Sequence, residues 1–295
     1  MSSKGVVLFA HNNKEINYLK LACVSCAMIK KNLGTENITV VSDIDSYEYN
    51  LDVLGKDFIE KHIPNLILVQ KDYDFKNKNI RSFRDTNHNI QTLSFYNENR
   101  SSVYDITPYD ETLVIDVDYL VMCDSLNLCW GHENDLMVNY DVQDIQSSRQ
   151  TGKERLQNYG ITMYWATVVY FRKNEFTKQF FDIVTHVKQN YEFYKDLYEF
   201  SGMLYRNDYA FSIAAHMMGN FSSEAIPPLP ERTMYMSYDW DDIYKVNGTN
   251  DITLYLELDK QIKNFNLCRW KGLDLHLMNK WALQRHADDL LEIYG

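Results

Sequence analysis

Three short apolar runs, Gly5-Val-Val-Leu-Phe-Ala10, Ile38-Thr-Val-Val41 and Leu66-Ile-Leu-Val69, constrain this chain more than any other feature. Uniformly apolar runs of this length suit strands buried on both faces of a parallel sheet. Parallel neighbours need a crossover, and one lies between the first two runs. Ile16, Leu19, Cys23 and Cys26 recur at helical spacing, and His11-Asn12-Asn13 offers a polar turn with a ready N-cap. Lys30 and Lys31 stand where the dipole's negative end favours cations, and Gly34 fits the C-cap. This β-α-β-x-β order predicts right-handed crossovers. The fold class is therefore α/β, a mixed and mainly parallel sheet flanked by helices.

Strands are expected over 113–122, 135–140 and 162–172. Phe176, Phe180, Ile183, Val184 and Val187 mark an amphipathic helix, and a second covers Asn207 to Met218, ended by Gly219. Three prolines, at 227, 228 and 230, divide a core, 1–225, from a segment, 226–295, that packs back onto it within one domain. No internal repeat is visible.

The chain has 295 residues and is 45% hydrophobic, which excludes a mainly disordered protein. A net charge of -11 counts against a general nucleic-acid coat. The longest apolar stretches run to about ten residues, well short of a membrane span. The opening residues lack a signal peptide's apolar region and cleavage site, so we expect a soluble, cytoplasmic protein (in the host cytoplasm if virus-encoded) with no membrane partner. Five scattered cysteines do not make a disulfide framework, and Cys23 and Cys26 read as small buried side chains.

Asp116 and Asp118 carry the most chemistry. With 26 Asp, about two Asp-x-Asp strings are expected by chance, and four occur: 43/45, 72/74, 116/118 and 239/241. Only the third sits inside a strongly apolar run, Leu113-Val-Ile-Asp-Val-Asp-Tyr-Leu-Val-Met122. Carboxylates in such a place cost several kcal/mol unless cations or donors compensate. Ligands of open α/β sheets bind at the carboxyl ends of strands, so an acidic pair there suits a hard divalent metal.

This layout resembles glycosyltransferases of the GT-A fold, whose acidic motif binds Mn²⁺ or Mg²⁺ on the diphosphate of a sugar nucleotide. A second segment, His276-Leu-Met-Asn-Lys280-Trp281, is similar to the closing motif of the glycogenin-like, family 8 retaining enzymes. The resemblance implies Asp116, Asp118 and His276 as metal ligands and Lys280 on the leaving diphosphate. Two carboxylates with an imidazole suit Mn²⁺ better than Mg²⁺. It also implies a phosphate or sugar contact at Arg100, on a helix with Tyr104. Ala10, His11, Asn12 and Asp43 match where the family holds base and ribose, with a UDP-sugar the expected donor. Two departures stand out. Trp165-Ala-Thr-Val-Val169 replaces an Asn-Ala-Gly-Val-like strand, and Asp208-Tyr209 replaces Asp-Gln at a helix start. Asp208 is expected to orient the donor sugar in a retaining transfer, or to act as base in an inverting one.

The N-terminal segment also resembles glycosyltransferases of tailed phages, some of which put sugars on hydroxymethylated DNA bases. A DNA acceptor needs cations for phosphates. The run from Lys71 to Arg84, Arg149 to Arg155, and Arg269-Trp270-Lys271 are the candidates, with Trp165, Tyr164 and Trp270 as stacking partners for a flipped base. A glycan or a protein is the alternative acceptor. Three other readings compete. Haloacid-dehalogenase phosphatases place their Asp-x-Asp near the N-terminus, and sugar nucleotidyltransferases need a Gly-rich loop absent after the first run here. A transferase domain that only binds nucleotide is the third.

Overall fold

The computed structural model describes residues 3–70, 80–85, 89–94, 96, 98–147, 149, 152–153, 155–156, 160–200, 204–222, 224–231, 233–259 and 264–295. The first elements alternate: β1 (Lys4–Ala10), α1 (Tyr18–Leu33), β2 (Ile38–Asp43), α2 (Ile44–Val53), α3 (Lys56–His62) and β3 (Asn65–Val69). A hairpin, β4 (Ile80–Arg84) and β5 (Ile90–Ser94), leads into a 3-10 turn at Glu98–Ser102 and α4 (Val103–Ile106). Next come β6 (Glu111–Ile115), β7 (Tyr119–Leu120), β8 (Leu136–Asn139), β9 (Asp141–Asp144), β10 (Gly152–Lys153) and β11 (Trp165–Arg172). Three helices follow, α5 (Glu175–Gln189), α6 (Tyr191–Leu197) and α7 (Asn207–Met218). The chain closes with β12 (Thr233–Ser237), β13 (Asp242–Gly248), β14 (Asp251–Asp259), β15 (Asn264–Lys271), β16 (Leu275–Leu277), α8 (Lys280–Arg285) and α9 (Ala287–Tyr294).

Six strands form the central sheet in the order β3-β2-β1-β6-β11-β8. The first four are mutually parallel, and β11 runs antiparallel to both of its neighbours. The sheet is thus mixed and mainly parallel, as the apolar runs imply. Val6, Val7, Leu8, Val40 and Leu113 are fully buried, since helices cover the sheet. α1 starts at Tyr18 with Asn17 as its cap, later than the turn at 11–13 suggested. The polar groups of that turn are used elsewhere: Asn12 Oδ1 accepts from Leu19 N, and Asn13 Oδ1 from Glu15 N and Ile16 N. Gly34 closes α1 at φ 66°, the left-handed conformation that favours glycine. Cys23 and Cys26 lie buried within α1, where desolvation pushes the Cys23 thiol up to about 12.

The apolar run at 113–122 is not one strand. β6 stops at Ile115, a turn carries the acidic pair, and β7 resumes in a second sheet, ordered β10-β9-β12-β16-β7. That sheet joins the C-terminal segment to the centre of the chain. β16 pairs antiparallel with β7, setting His276 opposite Tyr119, and Leu277 N donates to Asp118 O at 2.9 Å. β13, β14 and β15 form a separate antiparallel sheet, while α8 and α9 return against α1. Among the described residues, no helix is long and apolar enough to cross a membrane.

Candidate functional site

Two hydrogen bonds explain where the acidic pair sits. Asp116 N donates to Thr167 O of β11 at 2.9 Å, and Tyr119 N donates to Asp116 O at 3.0 Å, which closes the turn. Both aspartates therefore stand at the carboxyl end of β6. The β16–β7 pairing brings His276 to them across 158 residues, with Nε2 3.3 Å from Asp118 Oδ2. Its Nδ1 lies 3.5 Å from Thr167 Oγ1, so the other ring nitrogen faces the carboxylates. One ligand atom from each of Asp116, Asp118 and His276 lies within 4.8 Å of the other two. Two oxygens and a nitrogen at this spacing suit a divalent cation, and the Thr167 contact is the kind of outer support that fixes a ligating imidazole.

Two cations reach the same carboxylates. Lys280 Nζ lies 2.5 Å from Asp118 Oδ2, and the Arg100 guanidinium bonds Asp116 Oδ1. Arg100 stands in the 3-10 turn rather than on the expected helix, and is only 2% exposed. Burial, aided by the charge of Asp118, holds the Asp116 carboxyl above its usual range against the pull of Arg100. Burial would raise Asp118 as well, but Lys280 and His276 more than offset it, and its carboxyl ends well below the ordinary value.

These groups line a cavity of about 740 Å³, part of it open to solvent. Four cations face it, Arg81, Arg100, Arg206 and Lys280, against three carboxylates, Asp116, Asp118 and Asp208. Asp208, in the first turn of α7, accepts from Ala166 N at 3.0 Å and from Arg206 Nε and Nη2 at 3.1 and 2.7 Å. Burial opposes ionisation there, but Arg206 and the Ala166 N–H outweigh it and the pKa falls. His11 Nε2 and Trp165 Nε1 are buried in this lining with no partner among the described residues. An unsatisfied buried donor or acceptor is costly unless a ligand completes it.

A second hollow, of about 1160 Å³, adjoins the first through Tyr96. Asn12, Asn13, Asp45, Ser46 and Tyr49 are on its walls. Between the two hollows, His11 Nδ1 is fixed by Asp43 Oδ2 at 3.0 Å, and Asp43 also holds Ser46. The Ala10 carbonyl is taken by Ser42 Oγ at 2.6 Å. Asn12 leaves Nδ2 unpartnered among the described residues.

The expected stacking residues separate. Trp165 lines the cavity, but Tyr164 is 2% exposed and its hydroxyl bonds Ile226 N and O, so it belongs to the core. Trp270 packs on Tyr235 under the β13–β15 sheet and does not line the cavity. Arg149, expected on a basic surface, is buried between Asp144 and Asp241. Lys71, Lys76, Lys78 and the Asp72/Asp74 pair lie outside the described residues.

Arg206 is a lining residue that the sequence reading did not assign, and Arg81, expected on a DNA-binding surface within the run from Lys71 to Arg84, lines the cavity instead. Arg206, two residues before Asp208, was within reach of a search for the partner of that carboxylate. Lys280 itself is held by a lock. Asn279, 1% exposed, caps α8 through Ala282 N at 3.1 Å. Its amide donates to Asp241 O at 2.8 Å and Asp85 Oδ1 at 3.3 Å, while Arg285 grips both Asp85 oxygens at 2.8 Å.

No family model and no curated protein matches the chain. Among solved structures it is similar to the galactosyltransferase LgtC in complex with donor and acceptor sugar analogs, at 16% identity over 79% of this chain and 73% of that one, TM-score 0.43. It is also similar to mouse xyloside xylosyltransferase 1, at 9% identity over 74% and 83%, TM-score 0.42. A third is 4-diphosphocytidyl-2C-methyl-D-erythritol synthase from Anaerococcus prevotii, at 12% over 79% and 87%, TM-score 0.38.

Proposed function

We propose that the chain is a divalent-metal-dependent glycosyltransferase, moving a sugar from a nucleoside-diphosphate donor, UDP by the sequence resemblance, to an acceptor hydroxyl. One observation carries this reading: Asp116, Asp118 and His276 converge at strand ends on the wall of a cavity whose other charged groups are mostly cationic. Bound by those three side chains, Mn²⁺ or Mg²⁺ supplies Lewis-acid neutralisation of the leaving diphosphate. Lys280 and Arg100, already at the carboxylates, add fixed positive charge where negative charge grows. The hollow beside Asn12 and Asp43 takes the nucleoside, with His11 Nε2 at the junction.

Asp208 is held by a backbone N–H and a guanidinium and sits below its ordinary pKa. A carboxylate so stabilised is a weak base. Its role is to orient the donor sugar by accepting from hydroxyls. The C1–phosphate bond then breaks, the acceptor oxygen takes C1 on the same face, and its proton passes to the departing phosphate oxygen. Configuration is retained. Trp165, in the cavity lining, offers the acceptor an N–H that has no partner among the described residues, and a hydroxymethylated DNA base is the acceptor we test first.

Nucleotide release from a panel of nucleotide sugars is followed with Mn²⁺ and with EDTA. Release that survives EDTA, or is unchanged in Asp118→Asn, removes the assignment. Transfer of labelled sugar to hydroxymethylated but not plain duplex DNA supports that acceptor, and no labelled DNA with any donor ends it.

A further inference from the structure

The β13–β15 sheet breaks the pattern of a half-buried antiparallel sheet. Its inner face is regular: Ile243, Ile252, Leu254 and Leu256 are each at most 3% exposed. The outer face should then be polar. Instead it shows Tyr244, Tyr255, Phe265 and Leu267, exposed by 54%, 37%, 47% and 60%. They form one patch. Tyr255 stands opposite Leu267 in the ladder, 4.9 Å from the Tyr244 ring and 6.3 Å from the Phe265 ring. A contiguous exposed apolar patch rimmed by charge marks an interaction site.

The rim on that face is basic. Lys245 and Arg269 stand opposite Thr253 from its two sides, and Lys271 stands opposite Asp251. Asp242, Asp251 and Glu257, acids of the same face, are already bound to Arg285, Arg269 and Arg84. Lys245 and Lys271 form no ion pair among the described residues and remain as surplus charge. At physiological salt the screening length is about 8 Å, so a ligand here meets these local cations rather than the net charge of the chain.

We propose that this face is a docking platform for single-stranded nucleic acid, whose bases stack on Tyr244, Tyr255 and Phe265 while its phosphates meet Lys245 and Lys271. Aromatic side chains on an open sheet beside cations match the two needs of such a strand, a stacking surface and a charge track. A neutral glycan would stack on the rings but gain nothing from the cations. A second copy of this chain, docked through the same face about a two-fold axis, would bring like charges together. The site is separate from the cavity and does not rest on its chemistry.

The test is fluorescence anisotropy of a labelled oligothymidylate against the purified full chain at low and physiological salt. Binding that weakens with salt is expected, with Tyr255→Ala costing about tenfold and Tyr255→Phe restoring most of it. The double variant Lys245→Gln, Lys271→Gln should reduce the slope of log K against log salt by about 1.4. These residues are exposed, and circular dichroism of each variant checks the fold. No binding at low salt overturns the proposal. So does binding unaltered by all of these changes, which would put the strand elsewhere. Equal competition by a neutral oligosaccharide, or loss of self-association in Tyr255→Ala, also overturns it in favour of the other occupants.

Discussion

Asp144, Arg149 and Asp241 form an ionic cluster even more buried than the one around Asp116 and Asp118. The two carboxylate side chains are 0% exposed and Arg149 is 8% exposed, against 27% and 7% for Asp116 and Asp118. The difference lies in where the remaining valences point. Asp241 accepts from both Arg149 nitrogens at 3.1 and 2.8 Å and from Tyr238 N and Glu257 N at 2.9 Å, and Arg149 lies on the Tyr238 ring. That cluster turns inward and ties the β9–β12 sheet to β14, with Asp144 Oδ2 and Arg149 Nε left without a hydrogen-bond partner among the described residues. Around Asp118 the carboxylates, the imidazole and the cations converge on open volume. Buried charge marks a functional site only where its ligand atoms face space that a substrate can enter.

Substitutions in the two clusters should therefore fail in opposite ways. Asp118→Asn removes a metal ligand and the counter-charge of Lys280. We expect a loss of about 3 kcal/mol of transition-state stabilisation, about a hundredfold in metal-dependent nucleotide release, with a smaller loss of stability, since Lys280 loses its partner at a site that opens to the cavity. Arg149→Met leaves two buried carboxylates without their cation. Breaking such a pair costs about 3–5 kcal/mol of stability, read by urea unfolding, while the folded fraction keeps its donor affinity in calorimetry. If Arg149→Met lost activity at full stability, or Asp118→Asn unfolded, the contrast between the clusters would be wrong.

The lock on Lys280 lies between these extremes, being structural in its bonds and functional in what it holds. Asn279→Ala deletes the α8 cap, worth about 1 kcal/mol, and releases Asp85 and the Asp241 carbonyl. We expect a slightly lowered melting temperature and a several-fold rise in KM for the donor, with kcat less affected. An equal fall in kcat at unchanged KM would show that Lys280 keeps its place without the lock.

Local signals made much of this legible in the sequence. α5 and α7 announce themselves through helical spacing, and Gly219 ends α7 where expected. Gly34 caps α1. The acidic pair was legible because an apolar run rarely holds two carboxylates. What could not be read depended on distant partners. The break of 113–122 into two strands follows from the turn that Tyr119 N closes on Asp116 O and from the pairing of β7 with the distant β16. Tyr164 has the same ring as a stacking platform, and only the position of Ile226, 62 residues on, turns it into a core residue. Arg149 looked like a surface base because nothing near it in sequence shows that Asp241, 92 residues away, would enclose it.

The sealed cluster makes one further, smaller prediction. Asp144 Oδ2 has no donor among the described residues, and burial raises the carboxyl from 3.8 to about 6 despite Gln146 N and Arg149. The folded chain then holds a proton that the unfolded chain has released between these values. Where the folded state binds more protons, stability falls as pH rises. The contribution of Asp144 is thus complete below about pH 4 and lost as pH passes about 6. Asp144→Asn keeps the shape but cannot titrate, so its unfolding free energy should gain on that of the unaltered chain across this interval and run parallel above it. Curves parallel throughout would mean that Asp144 is ionised in the fold at acid pH, with Arg149 compensating it fully. The closed cluster would then be as well matched electrostatically as the open one, and only exposure to the cavity would separate the two.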